Sequence, residues 1–268
     1  MKDIRAGSAA LWMLFIFGLS APTYGQAGGS PGNQETAGAN LTLKSTAPIE
    51  TDLTGNWVSI INADWRWRML PPPKGDYASI PINAEGKRVA DTWDPAKDQA
   101  AGEQCRSYGA PAIMRVPERL HITWQDDNTL KVETDAGQQV RLLHFIGWQA
   151  PHGAPAWQGD SVAKWEPGGT IKNKAGGEIS RPKYGALQVT TTHIRPGYLR
   201  KNGVPYSANT ELVEYWNLNR EPNGAQWLVI TAVVHDPTYL QEDWITALDF
   251  RKEPDSSKWD PQPCSARW

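Results

Sequence analysis

The sequence predicts an all-β fold: an antiparallel, up-and-down β-barrel of eight or nine strands carrying one short helical insertion, with a β-sandwich as the competing arrangement. Three observations point there. Apolar and polar residues alternate through most of residues 119–251. The 21 Pro and 24 Gly break the chain at short intervals and argue against a helical bundle. Helical periodicity is confined to one stretch, residues 83–108.

The first strand is expected over Thr54 to Ile61, rich in Val and Ile. The insertion follows. Asn83 suits an N-cap, Glu85 sits in the first turn, and Val89, Ala90 and Trp93 form an apolar stripe. Asp94-Pro95 interrupts, and Ala96 to Tyr108 predicts a second short helix ending at Gly109. Arg119–Trp124, Thr129–Thr134 and Gln138–Trp148 then alternate, joined by turns at Asp126-Asp-Asn128 and Asp135-Ala-Gly137, which makes a three-stranded meander. Ser161–Trp165, Leu187–Ile194, Thr210–Asn217, Gln226–His235 and Ile245–Arg251 complete the strands, with a strong turn at Glu221-Pro-Asn-Gly224.

Residues 1–25 read as a secretory signal, with Lys2 and Arg5 ahead of an apolar run from Ala9 to Leu19 that is too short to span a bilayer. Residues 26–51 read as a flexible leader rich in Gly, Ser, Ala, Thr and Asn. Residues 52–268 read as a single barrel domain. No later segment predicts a stable membrane span. The expected address is the periplasm or the exterior. There, Cys105 and Cys264 read as one disulfide, whose long loop would contribute about 4–5 kcal/mol in the chain-entropy picture. The formal charge of −2 lacks the basic footprint of a nucleic-acid binder.

Leu53-Thr-Gly55-Asn-Trp57 opens the first strand, and Arg251 lies on the last. A Gly-x-Trp there with an Arg on the closing strand resembles the lipocalin and wider calycin-like group of barrels, among them exported bacterial proteins of undescribed function. The resemblance implies that Trp57 plugs the closed end and that Arg251 packs across it. The insertion at 83–109 and the long loop at 149–185 depart from a small lipocalin.

An eight-stranded barrel has room inside for side chains or one small ligand. The 14 Trp, against 4 Phe, offer large faces with one donor each. Strand alternation puts His144 and Trp148 on one face with Leu142 and Ile146; Val189, Thr191 and His193 on another; Glu211, Val213, Tyr215 and Asn217 on a third; and Trp227, Val229, Thr231, Val233 and His235 on a fourth. If those faces line the interior, His193, Glu211 and Tyr215 are the candidate catalytic residues: an acid–base pair and a group to steady a developing anion. The opposite faces could equally be inside, with Glu211 in a plain salt bridge. Arg195, Tyr198, Arg200 and Lys201 would line a barrel mouth fit for a carboxylate or phosphate, or else belong to a solvated turn. Asp64-Trp-Arg-Trp-Arg68 alternates aromatic and cation, placing Trp65, Trp67 and Met69 on one side and Arg66 with Arg68 on the other, whether as a ligand grip or as a Trp-walled strand.

No metal is expected, because His121, His144, His152, His193 and His235 show no ligating spacing. No cofactor is expected either. Gly168-Gly169 and Gly176-Gly177 lack the strand-turn-helix context of a nucleotide loop, and no Gly-x-Ser-x-Gly elbow occurs. The leading expectation is a periplasmic or secreted small-molecule-binding barrel for an apolar, aromatic or carboxylated ligand, lined by Trp65, Trp67, Arg66, His144, Trp148, Arg195 and Tyr198. A cofactor-independent hydratase, lyase or isomerase is the rival. An envelope interaction module would instead show an exposed Trp patch.

Overall fold

A computed structural model describes residues 51–145, 147–149, 153–167, 170–172, 178–180 and 184–267. The expected signal and residues 26–50 of the expected leader therefore lie outside the described residues, as do Ile146, His152 and both Gly-Gly pairs; Thr51, the leader's last residue, is described and buried.

The strands are β1 (Gly55–Ile60), β2 (Arg119–Asp126), β3 (Thr129–Thr134), β4 (Ala136–Gly137), β5 (Val140–His144), β6 (Asp160–Pro167), β7 (Thr170–Lys172), β8 (Glu178–Ser180), β9 (Tyr184–Thr192), β10 (Gly197–Arg200), β11 (Val204–Tyr206), β12 (Glu211–Arg220), β13 (Gln226–His235), β14 (Trp244–Glu253) and β15 (Gln262–Pro263). Nine of them close a barrel in the order β1-β14-β13-β12-β9-β6-β5-β3-β2. The expected hairpins form, β12–β13 with continuous register from Glu211↔His235 to Arg220↔Gln226 and β2–β3 with a shift between Trp124 and Asp126. One pairing departs from a pure up-and-down path: β5 and β6 run parallel. The connection between them is long enough to return to the starting end, as parallel pairing requires.

The helices are α1 (Trp65–Met69), α2 (Ala84–Ala90), α3 (Pro95–Ala100) and α4 (Ala110–Ile113), with a 3₁₀ turn at Arg106–Tyr108. Asn83 caps α2 as expected, its side chain accepting from the Gly86 N–H at 2.8 Å. The helix expected over Ala96 to Tyr108 breaks after Ala100, where Gly102 takes a left-handed φ of 72°. The alternation in Trp65–Met69 is helical, not extended, so Arg66 and Arg68 do not share a strand face.

Trp57 is fully buried in the core, but its cation neighbour is not Arg251. Lys252 Nζ lies 5.2 Å from the Trp57 ring, and Arg251 is exposed. Phe250 and Lys252 share the inward side of β14, so Arg251 must point out. Gly55 makes room for that lysine: with φ at +118°, a Cβ there would meet Lys252 Cε at 2.9 Å.

The disulfide joins Cys105 to Cys264 across 159 positions and ties the tail strand β15, parallel to β4, against the 3₁₀ turn. Replacing both cysteines by Ser is expected to cost roughly 2–4 kcal/mol in urea unfolding, with a midpoint that dithiothreitol no longer shifts.

Candidate functional site

Leu120, Ile122, Val132, Leu143, Leu187, Val189, Leu228, Ile230 and Phe250 are closed to water on every side. One polar cluster crosses this core. Arg141, on β5, is 0% exposed and makes a bidentate pair with Glu214, on β12, at 3.1 and 2.6 Å. Arg141 Nη2 also reaches Thr191 Oγ1 at 3.4 Å, which lies 2.8 Å from Ser161 Oγ.

The faces expected to line the interior are therefore reversed on three strands. On β12, Leu212, Glu214 and Trp216 point in; Glu211 is exposed, and Tyr215 is half-buried on the outer wall with its hydroxyl accepting from Gln188 at 3.0 Å. On β13, Leu228, Ile230, Ala232 and Val234 are inside, not Trp227, Val229 and Thr231. On β5, Arg141 and Leu143 are inside, so His144 faces out. The expected face was correct on β9, where Val189 and Thr191 are buried. No hydrogen bond joins His193 to Glu211 among the described residues.

Several expected residues meet outside the wall. His144 stacks on Trp148, rings 4.2 Å apart and 5° from parallel, in a groove of about 590 Å³ that also includes Trp157, Gln158 and Asp160. Burial pushes the His144 imidazole toward its neutral form. At this groove His193 Nδ1 lies 3.0 Å from Asp160 Oδ2, with the His193 backbone in the left-handed region at φ 54°. Arg195 covers the Trp157 ring at 4.2 Å and pairs with Glu103 at 2.5 Å. Tyr198 is buried, its hydroxyl donating to Asp98 at 3.0 Å and its ring lying under Arg106, so it lines no mouth. Trp65 is 63% exposed.

The densest charge lies elsewhere. A cavity of about 30 Å³ is lined by Trp67, Arg68, Ser107, Ala112, Arg115, Val116, Leu199, Arg200 and Lys201. Four of these are cations, and all four are buried. They come from α1, the segment after α4, the end of β10 and the turn that follows it. That turn is packed down rather than solvated. Gly203 has φ +84°, and a Cβ there would run into the Trp93 side chain.

The polar partners are mostly neutral. Arg115 donates to Asp64 Oδ2 at 2.8 Å. Arg200 reaches the Ala78 carbonyl at 2.9 Å and Ser79 Oγ at 3.0 Å. Lys201 Nζ lies 2.7 Å from the Tyr108 hydroxyl. Arg68 spends Nε on the Arg115 carbonyl at 2.9 Å, and its Nη1 and Nη2, both buried, have no hydrogen-bond partner among the described residues. Burial, helped by the Arg115 charge, pulls Arg68 and Arg200 each down to about 10. Burial pulls Lys201 to about 8. Arg115 is lowered too, by burial and against the pull of Asp64. A low-dielectric pocket crowded with positive charge is electrostatically complementary to an anion.

Trp67 and Arg66 join this site. Arg200 lies 5.4 Å from the Trp67 ring, whose Nε1 donates to Asp76, and Arg66 pairs with Asp76 at 3.2 Å. Asp64, next to α1, holds a left-handed φ of 54° while gripping Arg115. The alternating Trp-Arg run was the signal for this corner. Arg115 carried none.

Glu118 is buried beside the cavity's cations, and neither carboxyl oxygen has a hydrogen-bond partner among the described residues. Burial, with Asp135 adding, pushes it well above the usual carboxylate range despite Arg141 and Arg68. The unfolded chain gives up this proton near pH 4.5, while the folded chain keeps it to higher pH. Between those points the folded state binds more protons, so stability falls as pH rises. Glu118→Gln is expected to flatten that fall in urea titrations from pH 5 to 8. An unchanged slope assigns it to other groups.

Comparison with family models, characterised proteins and solved structures finds no match.

Proposed function

We propose that the chain is an exported, lipocalin-like binding barrel whose ligand is a small carboxylated molecule, held in the cationic cavity on the outside of the barrel rather than within it. The observation that carries this reading is Arg68: 2% exposed, with two guanidinium nitrogens that have no hydrogen-bond partner among the described residues, in a side chain that lines a cavity with three more cations. Leaving such donors unmet costs about 1–3 kcal/mol each unless something fills the space. A volume of about 30 Å³ takes a carboxylate head and little more. The rest of the ligand lies toward Trp67 and the exposed Trp65, Met69 and Leu70 around α1, which suit an apolar or aromatic body. The signal-like N-terminus and the disulfide support export to the periplasm or beyond.

Calorimetry with benzoate, indole-3-acetate and L-lactate, each beside its neutral amide, tests this. Carboxylates are expected to bind and their amides to fail. Affinity should weaken above about pH 8 as Lys201 loses its proton. Equal binding of acid and amide, or no binding by any acid, overturns the reading.

The His193–Asp160 contact favours a second reading, acid–base catalysis by a cofactor-independent hydratase, lyase or isomerase at the outer groove. A His193→Gln variant that folds, binds and turns over like the parent argues against it.

A further inference from the structure

We propose that the groove on the outer wall beside His144 is a second binding site, and that it takes a neutral oligosaccharide. The site stands apart from both readings above, needing neither the cationic cavity nor chemistry at His193. It lies where β5 and β6 part. Among the described residues the two strands pair only at Leu143↔Ser161 and His144↔Val162. A space of about 590 Å³ is lined there by β5 on one side and by the residues leading into β6 on the other. That volume suits a ligand site, and both walls are fixed in advance. On β5, Val140, Leu142 and His144 share the outer face over about 13 Å. Opposite, the Trp157 carbonyl accepts from the Ala110 N–H at 2.9 Å, and the Ala156 carbonyl from the Arg195 N–H at 2.8 Å. Gly159, at φ +57°, is pressed so close that a Cβ there would run into the Thr192 carbonyl.

These walls present flat apolar faces edged by hydrogen-bonding groups. His144 and Trp148 stack 4.2 Å apart and 5° from parallel, forming one platform. Burial pushes the imidazole toward its neutral form, against the pull of Asp126 and Asp160. Trp157 also lines the groove, whereas Arg195, over its ring at 4.2 Å, does not. Two amides are locked in place. Gln158 Nε2 donates to the Tyr108 carbonyl at 2.7 Å and to Gln139 Oε1 at 3.1 Å, and Gln139 Nε2 donates to the Gly137 carbonyl at 2.6 Å. Amides and a carboxylate match hydroxyls, which both donate and accept. The aromatic faces match the C–H faces of sugar rings.

Other occupants fit less well. Among the described residues that line the groove, Asp160 alone carries a formal charge, so an anion is repelled. A cation finds the Trp157 ring already under Arg195, and Asp160 already facing His193 at 3.0 Å. A peptide adding as a strand needs a free edge. β5 pairs with β3 along its whole length and leaves an edge toward β6 only over Val140–Leu142, three residues.

Calorimetry on the full-length protein with maltohexaose, cellohexaose and laminarihexaose tests this, beside tetragalacturonate, acetylcholine and an alternating Thr-Val hexapeptide. At least one neutral hexasaccharide is expected to bind with Kd below about 1 mM, and the other three probes to fail. In two-dimensional NMR spectra of the unmodified protein, that sugar should move the indole N–H resonances of Trp148 and Trp157 and leave those of Trp65 and Trp67 in place. Trp148→Ala, at a half-buried position on the outer wall, should weaken Kd about tenfold with an unchanged circular dichroism spectrum. Failure of all three sugars, equal binding by any of the other probes, or shifts confined to Trp65 and Trp67 overturns the proposal. Binding of benzoate, read separately, decides only the carboxylate reading.

Discussion

Glu214→Ala is expected to lower unfolding stability by roughly 3–5 kcal/mol, measured by urea denaturation at pH 7. The reason is what it leaves behind. Arg141 is 0% exposed and spends Nη1 and Nη2 on Glu214, with only a long 3.4 Å contact to Thr191 besides. Truncation strands a guanidinium in a core closed to water. The pair itself is a different matter. Arg141 Nε has no hydrogen-bond partner among the described residues, so the cluster is incompletely satisfied even in the parent. An Arg141→Met, Glu214→Leu double variant should therefore recover most of the loss and lie within about 1–2 kcal/mol of the parent. The pair ties β5 to β12 across the barrel, beside the parallel β5–β6 pairing. We predict that the double variant keeps its stability but loses definition there, seen as faster amide exchange in β5 and β6. A cost under about 1 kcal/mol for Glu214→Ala shows that water reaches Arg141.

Strand positions were legible because turns punctuate them, and β3 and β13 match the expected spans residue for residue. Strand faces were not. On β12, Leu212, Trp216 and Leu218 compete with Val213 and Tyr215, and on β13 both sets are apolar. A wall packed on both sides carries no period-2 contrast, and the inward charges of Arg141 and Glu214 invert what contrast there is. The five residues of α1 span little more than one turn, too few to separate a 3.6-residue period from the alternation of Trp and Arg. The cationic cavity was out of reach for a third reason. Positions 68, 115, 200 and 201 each read singly as solvated charge. Only tertiary packing brings them together and removes the water.

That assembly predicts an opposition between stability and binding at one residue. Arg68→Met keeps the aliphatic stem and deletes a buried charge whose desolvation and repulsion by Arg115 outweigh the pull of Glu118, Asp64 and Asp249. The folded protein loses one hydrogen bond, Nε to the Arg115 carbonyl, worth about 1 kcal/mol net. It sheds two orphan donors and the repulsion with Arg115. Unfolding stability should therefore rise by about 1–3 kcal/mol, seen as a higher urea midpoint at unchanged m. Binding should move the other way. Two charge-assisted hydrogen bonds to a carboxylate are worth enough that their loss weakens Kd by about 100-fold or more. A group that costs the empty protein stability while serving the loaded one is what a binding residue looks like. If Arg68→Met instead destabilises the fold and leaves the affinity for benzoate and L-lactate intact, Arg68 is a structural brace and the anion is held elsewhere.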